Sequence, residues 1–182
     1  MNIIFLPIAI DEMEEAAAEL SSSLLALKTK EQKTEQVFLD KKGKLPSPVA
    51  GVVVALFQQD VTNSLGITKK TDGIAIKTPN GSKVRAIFPG TVVFAGYLRG
   101  YGNTIIVHHG FQYYSITSRV EKIIAGKDNI VETGSVLGET GETATLMEEG
   151  TYFEIRHGST SLDPMHWLAP DGLQQREDLP SE

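Results

Sequence analysis

Gly90-Thr91-Val92-Val93-Phe94-Ala95-Gly96-Tyr97, then Gly100-Tyr101-Gly102-Asn103, then Thr104-Ile105-Ile106-Val107-His108-His109-Gly110 is the stretch that decides the fold. Its two β-branched, aromatic runs flank a glycine-punctuated break, the pattern of short strands. A further run, Tyr152-Phe153-Glu154-Ile155-Arg156, is followed by Asp163-Pro164 and Trp167-Leu168. Strands are expected over 51–57, 73–77, 83–87, 91–97, 103–109, 112–117, 135–138 and 151–156, where no helical period appears. Pro79-Asn80-Gly81 is a turn of the Asn-Gly type. The expectation is a mainly β domain over residues 45–170.

Outward from this core, residues 11–39 read as one helix. Asp11 is placed as N-cap and Glu14 as its capping-box partner. Glu12, Glu14, Glu15 and Glu19 precede Lys28, Lys30 and Lys33, an order that suits the helix dipole. Met13, Leu20 and Leu27, with Ala17 and Leu24, make an apolar stripe of about two heptads. That stripe packs on its own domain, or docks on a partner, or occludes a groove. Lys41-Lys42-Gly43-Lys44-Leu45-Pro46-Ser47-Pro48 ends the helix as a linker, so residues 1–44 form a helix-and-linker extension. Residues 171–182 read as a polar tail. The first ten residues are apolar, lack the basic start of a signal peptide and are too short to span a bilayer.

Composition narrows the function. The chain has 182 residues, enough for one domain plus an extension. Its 23 acidic and 17 basic residues give a net charge of −6, which argues against a nucleic-acid partner. With no cysteine there is no disulfide and no thiolate metal site.

The motifs together resemble the LytM-type (lysostaphin-like) zinc endopeptidase domain, over roughly residues 45–169. Val131-Glu132-Thr133-Gly134-Ser135-Val136-Leu137-Gly138 and Gly141 also look like lipoyl-type turns. The resemblance implies a compact antiparallel barrel-sandwich, a LytM/lipoyl-like hybrid, with an N-terminal α-helical extension. Active members hold zinc with a His-x-Gly-x-Asp motif and a later His-x-His motif. Aligned through Gly73 and Phe153-Glu154-Ile155-Arg156, the zinc-ligand positions fall on Thr71, Ala75 and Tyr152. The two assisting histidines fall on Gly150 and near Arg119. None keeps its residue. A methyl has no donor atom, a neutral phenol is a far weaker zinc ligand than imidazole, and a guanidinium stays charged. His108 and His109 are adjacent on a strand and point to opposite faces, so they build no substitute site. No metal and no cofactor is expected.

The non-metal groups survive, and Asp72, Tyr101, Arg119, Tyr152 and Arg156 are expected to line a partner-binding groove where the catalytic cleft would be. Tyrosine and arginine dominate interface energetics. A helix, a basic linker and a LytM-type domain without its ligands resemble the EnvC-like murein hydrolase activators. That resemblance implies a non-catalytic chain in the periplasm or elsewhere outside the cytoplasm. It also implies an N-acetylmuramoyl-L-alanine amidase as partner, peptidoglycan as a further one, and no stable membrane insertion. The alternatives are a peptidoglycan-binding module and an active metallo-endopeptidase with a non-standard site.

Overall fold

The computed structural model describes residues 5–62, 65–142 and 150–177. Helix α1 spans Phe5–Leu39. It begins before Asp11, which therefore lies inside the helix and not at its N-cap. Pro7 sits in the first turn, where a missing N–H costs no helical bond. Of the apolar lead, residues 1–4 lie outside the described residues.

The strands alternate inward and outward side chains and follow as β1 (Gly51–Ala55), β2 (Asp60–Thr62), β3 (Thr68–Lys70), β4 (Ile74–Lys77), β5 (Lys83–Arg85), β6 (Gly90–Leu98) and β7 (Gly102–His108). Then come β8 (Tyr113–Ser118), β9 (Lys122–Ile123), β10 (Ile130–Val131), β11 (Val136–Glu139), β12 (Thr151–His157), β13 (Thr160–Leu162) and β14 (Leu173–Gln175). A nine-stranded sheet runs β10-β6-β7-β8-β12-β4-β1-β14, with β13 paired beside β12. A three-stranded sheet, β5-β11-β9, and the hairpin β2-β3 stand apart from it.

The expected antiparallel barrel-sandwich is not what forms: the sheets are not closed into a barrel. Closure needs the two edges of a sheet to pair with one another. Here β10 pairs with β6 and β14 with β1, and these two ends of the strand path do not meet. Both are very short, and β14 runs parallel to β1. The glycine-rich run around β11 joins the separate small sheet, against β5 and β9. β14 also lies in the stretch expected to be a polar tail, and Leu173 packs against the core. Residues 178–182 lie outside the described residues.

One face of the large sheet is covered throughout. Over β6 and β7, Val92, Ile105 and Val107 pack with Val84 and Leu137 of the small sheet. Over β4 and β12, Ile74, Ile76, Phe153 and Ile155 pack with Phe38, Leu45, Trp167 and Leu168. Phe38, only 1% exposed, is where α1 enters the core. Its ring lies 5.0 Å from that of Phe88, 4.5 Å from Tyr113 and 5.1 Å from Trp167. By contrast, Met13, Leu20, Leu24 and Leu27 are each more than half exposed. Among its described side chains, the helix is attached by its last turns, on the face of the sheet away from Tyr152, Glu154 and Arg156.

His109 is buried beside Phe38. Its Nδ1 lies 3.0 Å from the Pro89 carbonyl and its Nε2 2.8 Å from the Ser115 hydroxyl. A neutral ring satisfies both, donating from Nδ1 and accepting at Nε2. Burial first, and then the neighbouring His108, lower its pKa from 6.5 to about 4.

Two outcomes are expected. Phe38→Ala should cost about 3–5 kcal/mol in denaturant melts, because it empties an aromatic cluster. Removing residues 11–33 together with the lead before them should leave the melt unchanged, since every side chain described in that segment is exposed. For His109, the unfolded ring binds a proton below pH 6.5 that the folded ring refuses until about pH 4. Its contribution is therefore complete above pH 6.5 and is lost as pH falls toward 4, a span worth roughly 3 kcal/mol. Melts of the wild type and of His109→Gln across that range should show a steeper acid loss in the wild type.

Candidate functional site

The face of the large sheet opposite the two core clusters carries the residues of interest, and strand register sets their order. Phe153 and Ile155 point into the core, so Tyr152, Glu154 and Arg156 point the other way. Three cross-strand rows result. Ala75, Tyr152, Ser118, Thr104 and Gly96 form one, by pairings across β4, β12, β8, β7 and β6. Glu154, Ile116, Ile106 and Phe94 form the second. Arg156, Tyr114 and His108 form the third, in which the last two rings lie 4.8 Å apart.

At the centre sits Glu154, 0% exposed. Its Oε1 accepts from the Tyr152 hydroxyl at 2.8 Å and its Oε2 from Arg156 Nε at 2.5 Å. The buried carboxylate is thus bound on both oxygens, the condition under which burying a charge is tolerable. Arg156 Nη2 also lies 3.8 Å from Asp72 Oδ2, and Lys69 Nζ lies 3.9 Å from the same oxygen. Burial, reinforced by the Glu154 charge, pushes the Tyr152 phenol far above its ordinary value, so it stays a hydrogen-bond donor. The hydrogen bond to Glu154 raises the Arg156 pKa further.

Tyr101 and Arg119 close the other side. Tyr101 rides the β6–β7 turn, where Gly100 and Gly102 take φ of 86° and 77°, a region glycine enters freely. Its N–H donates to the Leu98 carbonyl, and its own carbonyl accepts from the Arg119 N–H at 3.2 Å. Arg119 itself has φ of 60°. Its guanidinium stands 5.4 Å from the Tyr152 ring centre and donates to the Gly150 carbonyl at 3.3 Å. The rings of Tyr101 and Tyr152 are 5.9 Å apart. Asp72, Tyr101, Arg119, Tyr152 and Arg156 are therefore one continuous cluster. Glu154, which binds two of them, is not among the residues the sequence placed in the groove. His108 and Tyr114 were not singled out as neighbours. Alternation along β8 places Tyr114 with Ile116 and Ser118, but nothing in it says which face stays open.

The positions aligned with zinc ligands come together but do not fit the ion. Ala75 and Tyr152 are direct cross-strand partners. Ala75 offers a methyl, and the Tyr152 hydroxyl is committed to Glu154. The Thr71 hydroxyl donates to the Leu56 carbonyl. At Gly150, with φ of 60°, a Cβ would lie 2.5 Å from the Ile76 carbonyl oxygen, so an imidazole has no room there. The Arg119 guanidinium adds a positive charge where a cation would sit. Among the described residues, no group of three or more His, Cys, Asp or Glu converges to hold a metal ion.

Residues 69–164 match the model of Peptidase family M23. The chain belongs to that family. It is 26% identical over 127 residues to the murein hydrolase activator EnvC of Escherichia coli K12, covering 70% of this chain and 29% of EnvC. With the murein hydrolase activator NlpD of the same strain it shares 34% over 100 residues, 53% of this chain and 25% of NlpD. A Neisseria meningitidis serogroup B protein is 38% identical over 127 residues, 70% of this chain and 20% of its own length. The outer membrane antigenic lipoprotein B of Haemophilus influenzae is 35% identical over 97 residues, 53% of this chain and 24% of that protein. The chain thus spans less than a third of the length of each of these M23-family relatives. Its fold is similar to a putative M23 peptidase of Pseudomonas aeruginosa, at a TM-score of 0.54, 21% identity, and 79% and 62% coverage of the two chains. It is similar also to a zinc-containing peptidase of Vibrio cholerae, at 0.57, 18% identity, and 71% and 40% coverage. Within M23 the domain is related to the murein hydrolase activators EnvC and NlpD.

Glu154→Ala should destabilise the domain by about 3 kcal/mol, since it leaves a guanidinium and a phenol without their buried acceptor. Tyr152→Phe should cost only about 1 kcal/mol, the worth of one hydrogen bond. Gly150→His should lower the thermal midpoint, because its Cβ meets backbone. Urea and thermal melts of the three variants check these outcomes.

Proposed function

We propose that the domain is a non-catalytic regulator of peptidoglycan hydrolysis that binds and activates a cell-wall N-acetylmuramoyl-L-alanine amidase through the open face around Tyr101, Tyr152, Arg119, Arg156 and Asp72. One observation carries the reading. Tyr152, at an aligned ligand position, joins Glu154 and Arg156 in a hydrogen-bonded aromatic, carboxylate and guanidinium cluster with Arg119 beside it, in a chain related to two murein hydrolase activators. Such a cluster has no nucleophile and no Lewis acid. What it offers is two tyrosine rings and two guanidinium groups held in place beforehand, which lowers the entropic cost of docking.

The relatives support a location outside the cytoplasm, where peptidoglycan lies. No helix among the described residues is long and apolar enough to cross a membrane. Arg119, and Asp72 on the rim, give the groove charges of both signs, and these favour a partner segment that is itself amphipathic.

Tyr101→Ala is the cleanest probe, because Tyr101 is half-buried and its side chain holds no core group. It should weaken amidase binding and activation by about 2 kcal/mol. Its effect on stability should stay near about 0.5 kcal/mol. Arg156→Glu is a poorer probe, since it sets a second carboxylate against buried Glu154. The assay measures amidase release of dye-labelled wall fragments with each variant, alongside melts and elemental analysis. Full stimulation by Tyr101→Ala and Arg119→Ala proteins would overturn the groove as the contact. About one zinc per chain with chelator-sensitive cleavage would overturn the non-catalytic reading. Retention on purified peptidoglycan without amidase stimulation would favour a wall-binding module.

A further inference from the structure

Helix α1 presents a surface the domain does not use. At 1.5 Å per residue its 35 residues reach about 50 Å. It is held only near its end, where Thr34 and Glu35 are half-buried and Phe38 is buried. Every side chain described between Asp11 and Lys33 is exposed, including the apolar stripe Met13, Ala17, Leu20, Leu24 and Leu27. A helix this exposed gains little from its own domain, and an unpartnered amphipathic helix is marginal in water.

The stripe carries a heptad seam. Leu20 and Leu27, with Met13, occupy one core position, and Ala17 and Leu24 occupy the other. The charges along it are unequal. Asp11, Glu12, Glu14, Glu15 and Glu19 lie before Leu20 with no basic residue among them, and Lys28, Lys30 and Lys33, together with Glu31 and Glu35, lie after Leu27 in a weakly basic half. A parallel pairing sets the acidic halves against one another. An antiparallel pairing sets each acidic half against the weakly basic one, and one register does this with Ala17, Leu20, Leu24 and Leu27 in the seam and Met13 opposite Glu31. In it Leu20 faces Leu24 of the other copy, Ala17 faces Leu27, and Glu14 lies beside the Lys28–Lys30 turn. The acidic end also disfavours an anionic lipid surface.

From the exposed seam and its complementary halves we infer that α1 binds a second copy of this chain, antiparallel, with the two-fold axis near Ser22. The arrangement puts the two β domains at opposite ends of the helix pair. Their anchor residues Phe38 are then about 50 Å apart along the axis. Two open sheet faces are presented at once, clear of one another, whereas a parallel pair brings the domains side by side. The seam is only about two heptads long, so association is reversible and concentration-dependent.

The native chain has no cysteine, so any introduced thiol reports its own neighbour. The test uses the full chain with Ala17→Cys and Leu27→Cys made separately, oxidised alone and as an equal mixture. In the antiparallel register the mixture forms a disulfide-linked dimer. Each variant alone does not, because residue 17 of one copy lies about 15 Å along the axis from residue 17 of the other, beyond disulfide reach. Sedimentation of the native chain should show a dimer that grows with concentration. Leu20→Glu with Leu24→Glu should abolish it while leaving the thermal melt of the β domain intact. Crosslinking of Ala17→Cys alone would overturn the antiparallel pairing. A native chain that stays monomeric across the concentration series, or a dimer that survives Leu20→Glu with Leu24→Glu, would overturn the helix as the self-contact. Amidase assays are not needed, so this outcome stands apart from that of the groove.

Discussion

A fully buried carboxylate at the middle of a central strand is the constraint around which the site is arranged. Glu154 cannot remain ionised at zero exposure without donors on both oxygens, and Tyr152 and Arg156 supply them from the same face of β12. The alternation that aligns those three side chains turns Phe153 and Ile155 the other way, into the core. One strand therefore fixes the groove and the packing together, and a register slip of one residue would exchange the two faces. Ala75, the cross-strand partner of Tyr152, stands at the edge of this hydrogen-bonded set.

The opposite face explains why an extension so polar belongs to the domain at one point only. Phe38 meets Phe88, Tyr113, Trp167 and His109, and so joins the helix end to the C-terminal turn and to β8. Tyr113 in turn stacks on His157 at the end of β12, at 4.5 Å. The helix anchor and the groove thus share two strands while lying on different sides of the sheet. The described side chains from Asp11 to Lys33 are exposed, so they do not pack over the groove.

Much of the site was legible because it sits on strands with strong alternation and on glycine turns with definite backbone needs. Tyr101 between Gly100 and Gly102, and Tyr152 and Arg156 four residues apart with Phe153 and Ile155 between them, could be put on their turn and strand by pattern alone. The stripe Met13–Leu27 was legible as apolar, but its fate was not, since the same periodicity serves a buried helix and an exposed one. The hairpin β2–β3 was missed because Asp60-Val61-Thr62 and Thr68-Lys69-Lys70 bury neither face and so show no inward residues. β14 was read as tail for a related reason: a three-residue edge strand needs only backbone groups and one Leu173 contact.

The sequence by itself determined the central strands with a buried face, the glycine turns and the residue types at the aligned positions, because each depends on local periodicity or on residue chemistry. Only the tertiary structure decided that the sheets stay open, that Glu154 is the buried partner of Tyr152 and Arg156, and that α1 enters the core at Phe38. Those outcomes depend on which strand edges meet, which face is covered and which residue distant in sequence lies opposite. Long-range pairing sets such matters, and a short window of sequence carries no record of it.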